Sequence, residues 1–202
     1  MKEVFPPNRN YFEAKPSKGD TGLVVKDAAD RELEKIEKNS FVDSLTDCFN
    51  RNYLERFIKE GFDANRDDNK LAFIFIDLND LKNTNDTYGH TAGDKLLKDT
   101  AKFLKDNFRK DDTVVRIGGD EFIVICHNHN EDNDFQNILS EQLEESKSKQ
   151  LEECQSDKPS IDFAFGVAIY NTETDLSDLE KTMKRADQIM YKRKLGTKGI
   201  EK

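Results

Sequence analysis

The chain has 202 residues, with 41 Asp and Glu against 32 Lys and Arg, and a formal net charge of -9. That balance disfavours a broad nucleic-acid-binding face, though a single nucleotide needs only a few local cations. The length suits one domain with a real core plus a small appendage, and no run of about 18 apolar residues is present to span a membrane. The first 20 residues lack the apolar core of an export signal. Three cysteines, Cys48, Cys126 and Cys154, are scattered without metal-ligand spacing, which fits buried thiols in a reducing cytosol.

Residues 1–24 hold three of the four prolines and few apolar residues, and read as a flexible arm. Over 25–42, Val25, Ala29, Leu33 and Ile36 fall on one helical stripe, which reads as a linker or stalk helix that packs on its own domain or on a second copy. Residues 43–202 read as the main domain. "NRNYLERFIKEGF" has helical spacing of Tyr53, Leu54, Phe57 and Ile58. "KLAFIFIDLN" is a continuous apolar run that suits a central strand covered on both faces. "AGDKLLKDTAKFLKDNF" is amphipathic, and "TVVRI" and "EFIVIC" flank Gly118-Gly119 as the arms of a hairpin. A two-residue turn with positive φ at both glycines is expected there. "DFQNILSEQLEESKSKQLEE" reads as a charged surface helix, "SIDFAFGVAIY" as a further strand, and "DLSDLEKTMKRADQIMYKRK" as a closing helix. Strands interspersed with helices, plus one antiparallel hairpin, predict an α/β sheet with helices packed against it.

Asp77 ends the apolar run, and Asp120 and Glu121 follow the hairpin turn. If these strands are neighbours, Asp77 and Asp120 converge, and two close carboxylates raise each other's pKa unless a cation sits between them. Magnesium uses one or two carboxylates together with water and substrate phosphates, so the pair suits a metal-nucleotide site. Solvated turn acids are the plain alternative. Between the two strands, the turn over Leu78–Leu81 can direct backbone N–H groups at phosphates where a helix starts, and Lys82 adds charge. Asn85, His90 and Asp94 can be aimed at one flat ligand, although Asp94 could instead serve as a helix-start acid and Asn85 as a turn residue. An Asp accepting from a purine N1–H and exocyclic amine selects guanine. "HNH" at His127–His129 reads as solvated histidines in an Asn/Asp-rich loop rather than as a metal site.

"RIGGDEF", with "DLNDLKNTNDTYGHTAGDKLL" before it, "RADQIMYKRKLGTKG" after it and "DSLTDCFNRNYL" at the domain start, resembles the GGDEF family of diguanylate cyclases over about residues 41–199. The resemblance implies a palm-like nucleotidyl cyclase fold, a mixed, mostly antiparallel sheet flanked by helices with the signature on a β-hairpin. It implies condensation of two GTP into cyclic di-GMP with release of two pyrophosphates, by a cytoplasmic homodimer using Mg2+ or Mn2+. On this resemblance Asp77, the Leu78 carbonyl and Asp120 match metal ligands. Asp120 or Glu121 matches the group that helps deprotonate the 3′-hydroxyl. Asn85 and Asp94 match the guanine readers, His90 a substrate contact, and Lys82, Lys194 and Lys198 the phosphate contacts. Arg109 and Asp112 match an RxxD site where cyclic di-GMP inhibits; a charged helix end is the plain reading of the same residues.

Three positions depart from the family pattern. Asp47 stands where the family has glycine. Thr197 and Lys198 stand where it has glycine and arginine, with Gly196 one place early, so the charge is kept and the planar fork is lost. A catalytically silent GTP- or cyclic di-GMP-binding module is the competing function, and the intact acids at 77, 120 and 121 weigh against it. A purely structural dimerisation module would leave those acids unexplained.

Overall fold

The computed structural model describes residues 40–60, 70–128, 134–153, 159–170, 175 and 178–198. The expected arm and residues 25–39 of the expected stalk helix lie outside them. Ser40 has helical geometry and Phe41 lies in a turn, with Val42 forming a bridge to Phe49.

The elements are β1 (Phe49–Asn50), α1 (Arg51–Glu60), β2 (Lys70–Leu78), α2 (Leu81–Tyr88), α3 (His90–Asn107), β3 (Thr113–Arg116), β4 (Glu121–Asn128), α4 (Phe135–Glu153), β5 (Phe163–Ile169) and α5 (Leu179–Lys198). They form a five-stranded mixed sheet in the order β1-β3-β4-β2-β5. Only β1 and β3 pair in parallel; β3–β4, β4–β2 and β2–β5 are antiparallel. This is the palm-like arrangement of helices on a mixed sheet that the motifs predict.

The continuous apolar run of β2 is explained by burial on both sides. Ala72, Ile74, Ile76 and Leu78 face the core built with Leu96, Leu97 and Leu104 of α3 and Leu139 and Leu143 of α4. Leu71 and Phe73 face the other core, with Tyr53, Leu54 and Phe57 of α1 and Leu179 and Ala186 of α5. By the period of two, Asp77 falls on the α1/α5 side.

α5 lies unusually close to β5. A Cβ placed on Gly166 would stand 2.1 Å from the Ala186 carbonyl oxygen and 2.4 Å from the Met190 nitrogen. Arg193 stacks over the Phe165 ring at 4.4 Å and donates to the Phe165 carbonyl oxygen, which fixes the helix's rotation. At its N-terminal end, Arg185 makes a two-pronged ion pair with buried Asp175, which also accepts from the Thr182 hydroxyl at 2.8 Å.

The hairpin differs from expectation. Ile117 N–H donates to the Glu121 carbonyl at 3.0 Å, so the loop is Gly118–Asp120 and has three residues rather than two. Neither glycine adopts a left-handed φ. The Glu121 carboxylate folds back over Gly118, with Oε2 2.5 Å from where a Cβ would stand. The polar stretch after β2 forms α2 despite its weak helix formers, so a helix starts at Leu81 as the turn reading expects. It breaks from α3 at Gly89, where φ is 84°.

Candidate active site

At the sheet edge β2 and β4 lie side by side in antiparallel register. Asp77 is directly opposite Glu121, and Asp120 stands one residue nearer the hairpin tip. Leu78 N–H donates to the Asp120 carbonyl at 2.9 Å, which makes 78 and 120 the hydrogen-bonded pair. Asp77 and Glu121 are therefore a non-hydrogen-bonded pair, the type in which Cα atoms approach to about 4.5 Å and side chains lie closest. On its other flank Asp77 is opposite Ala164, whose methyl group occupies little of that face.

Into this space comes Lys194 from α5, whose ammonium makes an ion pair with Asp77 Oδ1. The lysine side chain is 25% exposed and the aspartate 14%, so water screens the pair only partly. A protein cation thus neutralises one of the two acids. Among the described residues no three His, Cys, Asp or Glu side chains group closely enough to hold a metal by themselves.

The hairpin is braced from the domain start. Asp43 accepts from the Thr46 amide at 2.9 Å and the Thr46 hydroxyl at 2.6 Å, and receives Arg116 Nη1 at 3.1 Å. Arg116 Nη2 donates to the Gly119 carbonyl oxygen at 2.9 Å, and Arg51 Nε donates to the Ile117 carbonyl at 3.0 Å. Burial pushes the Asp43 carboxyl up, but the Thr46 bonds and the Arg116 guanidinium outweigh it and hold the group below the usual value of 3.8. Asp47, at the position where the family pattern has glycine, has φ 54°, the left-handed region that glycine occupies without cost.

Past β2, Asn79 anchors the chain by donating to Asp162 Oδ2 at 2.8 Å, and Lys147 also reaches Asp162. Asp80 then starts α2 with φ 56° and gives no side-chain cap, leaving the first N–H groups of the helix without one. Lys82 and His90 are exposed. Asn85 presses against the backbone of Gly93, where a Cβ would stand 2.0 Å from Asn85 Oδ1. Asn85 and Asp94 are thereby brought to neighbouring turns of the α2/α3 pair. Asp94 does not cap α3, which begins at His90; its exposed side chain falls in the second turn. Lys198 is the last residue of α5, and its side chain lies outside the described residues.

Arg109 and Asp112 form the turn between α3 and β3. Asp112 accepts from the Arg109 amide at 2.9 Å and from the His127 amide at 3.1 Å, so its carboxylate ties that turn to β4. Burial raises its pKa in spite of those two bonds. Cys48 and Cys126 are buried free thiols with pKa values raised by burial, as the reading of idle cysteines predicts; Cys154 and His129 lie outside the described residues. A groove of about 800 Å³ between α3 and α4, lined by Lys95, Leu96 and Phe103 among others, contains none of the expected site residues.

Three side-chain contacts escape sequence reading: Lys194 on Asp77, Asp43 on Arg116, and Arg185 on Asp175. Their acids look like any others in a chain with 41 of them.

The family described as "Diguanylate cyclase, GGDEF domain" matches residues 40–199. The chain is 31% identical to diguanylate cyclase DosC of Escherichia coli K12 over 164 residues, 80% of this chain and 35% of that protein. It is 35% identical to diguanylate cyclase A of Treponema denticola over 124 residues, 61% of this chain and 32% of that protein. Among solved structures, a sensory box/GGDEF family protein from Caulobacter crescentus superposes with a TM-score of 0.62 at 29% identity, covering 77% of this chain and 99% of that one. A microbial GGDEF domain solved with cyclic di-GMP superposes at 0.65 with 25% identity, covering 80% and 94%. The fold, the signature hairpin and the acids at the sheet edge define a nucleotidyl-cyclase-type domain. The chain belongs to the diguanylate cyclase GGDEF-domain family. It spans about a third of the length of the curated relatives it matches.

Proposed function

We propose that this chain is a diguanylate cyclase, joining two GTP molecules into cyclic di-GMP with release of two pyrophosphates. The observation that carries the reading is the apposition of Asp77 and Glu121 across a closely spaced strand pair, with Asp120 next to them at the hairpin tip.

The donor set fits a hard divalent cation. Carboxylates and a carbonyl are oxygen ligands, and too few for a complete shell, which suits an ion that also takes phosphate oxygens and water. The ion pair of Asp77 with the Lys194 ammonium supports a reading in which this carboxylate is ionised and holds a cation. Asp77, the Leu78 carbonyl and Asp120 would hold Mg2+ or Mn2+, which when bound would polarise the phosphates and favour the ionised 3′-hydroxyl.

The chain's own groups account for the rest. Asp120 or Glu121 takes the proton of the 3′-hydroxyl as it attacks the α-phosphate, and pyrophosphate leaves. Asp94 and Asn85 accept and donate at the guanine edge; Asp94 is available because it caps no helix. Lys82, Lys194 and Lys198, with the uncapped N–H groups of α2, draw the triphosphate into place. His90 contacts the substrate beside them.

Each domain holds one GTP, and each 3′-hydroxyl must reach the other's α-phosphate. Two copies facing each other about a two-fold axis make both bonds equivalent, so a homodimer is the working form. Most of the rate comes from positioning and charge neutralisation. Arg109 and Asp112 form the RxxD site at which cyclic di-GMP would restrain that approach, and the bonds holding Asp112 to the Arg109 and His127 amides keep the turn in one shape.

The test is incubation of the purified chain with GTP and Mg2+, followed by chromatography. Cyclic di-GMP and pyrophosphate in a ratio of about one to two, at a rate rising more steeply than linearly with protein concentration, are expected. GTP left intact in dimeric, folded protein would refute the activity and favour the silent binding module.

A further inference from the structure

We propose that Lys194 is a displaceable internal cation for the acid pair. It neutralises Asp77 in the nucleotide-free protein and passes to the triphosphate when GTP arrives, so a divalent ion binds firmly only together with the nucleotide. The inference rests on the metal-nucleotide reading of the same site and adds an order to its assembly.

Four observations carry it. Lys194 reaches Asp77 across 117 residues of chain, and both side chains are largely shielded from water, so the ion pair is more than a solvated surface contact. Asp77 sits between Glu121 and the small Ala164, which leaves the face of the carboxylate toward α5 open to the lysine. The Glu121 carboxylate is folded back over Gly118. Finally, α5 is held at this depth by its backbone contact with Gly166 and by Arg193 on Phe165, so Lys194 is delivered by a rigid element while its own stem stays flexible.

The physical consequence is competition for one charge. A free divalent ion entering at Asp77 must evict an ammonium that already satisfies it, and finds only a few protein oxygens in exchange. A metal-bound GTP brings phosphate oxygens to complete the ion's shell and gives Lys194 a second anion to pair with. Metal and nucleotide therefore raise each other's affinity, by a factor in the range usual for coupled sites, about 5- to 150-fold. Lysine suits this role better than arginine, because its single flexible charge can change partners whereas a fork would hold the carboxylate in two places.

The experiment titrates Mn2+ into the full chain by calorimetry or electron spin resonance. Wild type, Lys194→Met, Lys194→Gln and the double change Lys194→Met with Asp77→Asn are compared. Each is measured alone and with 3′-deoxy-GTP, which cannot react, and circular dichroism checks that each is folded. Without nucleotide, both Lys194 variants are expected to bind Mn2+ about fivefold or more tighter than wild type, and the double variant to lose that gain. With 3′-deoxy-GTP the advantage should shrink, because the ternary complex of wild type gains what the variants lack. Equal or weaker nucleotide-free Mn2+ binding by both variants overturns the proposal; if wild type still binds Mn2+ with 3′-deoxy-GTP, the metal-nucleotide site itself stands. Absence of Mn2+ binding in every protein, with nucleotide and without, overturns both.

Discussion

Replacing Gly166 by alanine adds one methyl group where α5 crosses β5. That carbon would lie 2.1 Å from the Ala186 oxygen and 2.4 Å from the Met190 nitrogen, against an ordinary contact of at least 3.4 Å. Both obstacles are main chain, so no rotamer change relieves them, and α5 must withdraw by roughly 1 Å. Overpacking of a core costs about 1–3 kcal/mol, and with helix backbone on both contacts the upper end applies. For a domain of this size each kcal/mol moves the melting temperature by about 2–4 °C, so Gly166→Ala should melt about 6–12 °C below wild type by circular dichroism. Gly119→Ala is the internal control: a Cβ there meets nothing within 4 Å, and its melting temperature should stay within about 2 °C of wild type. The withdrawal also draws Lys194 away from the place of the triphosphate, so GTP affinity should fall alongside stability. A Gly166→Ala protein that melts with wild type would refute the close-packed placement of α5.

Other substitutions probe separate parts of the account. Asp47 holds φ 54°, so Asp47→Gly should raise the free energy of unfolding by about 0.5 kcal/mol and Asp47→Ala lower it by about 1, measured in urea; the opposite order would contradict the left-handed assignment. The folded pKa of Asp43 is depressed, so its stabilisation is present above the ordinary value of 3.8 and lost as pH falls through the lower folded value. Asp43→Asn should therefore cost about 1–2 kcal/mol at pH 7 and progressively less as pH falls below 3.8, and a deficit that does not shrink with acid would dismiss the Arg116 brace. Asp94→Ser should reduce kcat/KM for GTP by about 10- to 100-fold while leaving ATP little changed, whereas undiminished guanine preference would remove Asp94 from recognition.

Much of the scaffold was legible before any coordinates. An unbroken apolar run such as Leu71–Ile76 is compatible with a strand only if both faces are covered, and the two cores of the sheet meet that demand. The helical stripes of α1, α3 and α5 turn inward at the spacing that predicts them. What escaped reading lies in loops and in distance. Two glycines imply a two-residue turn, yet the loop has three residues, and the β2–β4 register, which no hairpin loop sets, puts Glu121 rather than Asp120 opposite Asp77. The extent of α2 is poorly signalled by propensity, because its Asn, Thr and Asp residues are weak helix formers. Lys194 could be named as a phosphate contact, but its bond to Asp77 depends on how closely α5 approaches β5, and one glycine with no distinctive neighbours sets that distance. Pairings across such separations leave no periodicity to detect.

The acids at the sheet edge can be put to proof by one comparison, the initial rate of cyclic di-GMP formation from GTP and Mg2+ by wild type and by Asp77→Asn. The substitution keeps the shape of the side chain and removes its charge, so the rate should fall by at least about 100-fold with folding and dimerisation unchanged. A variant that retains more than about a third of the wild-type rate would show that the reaction is carried elsewhere on the protein.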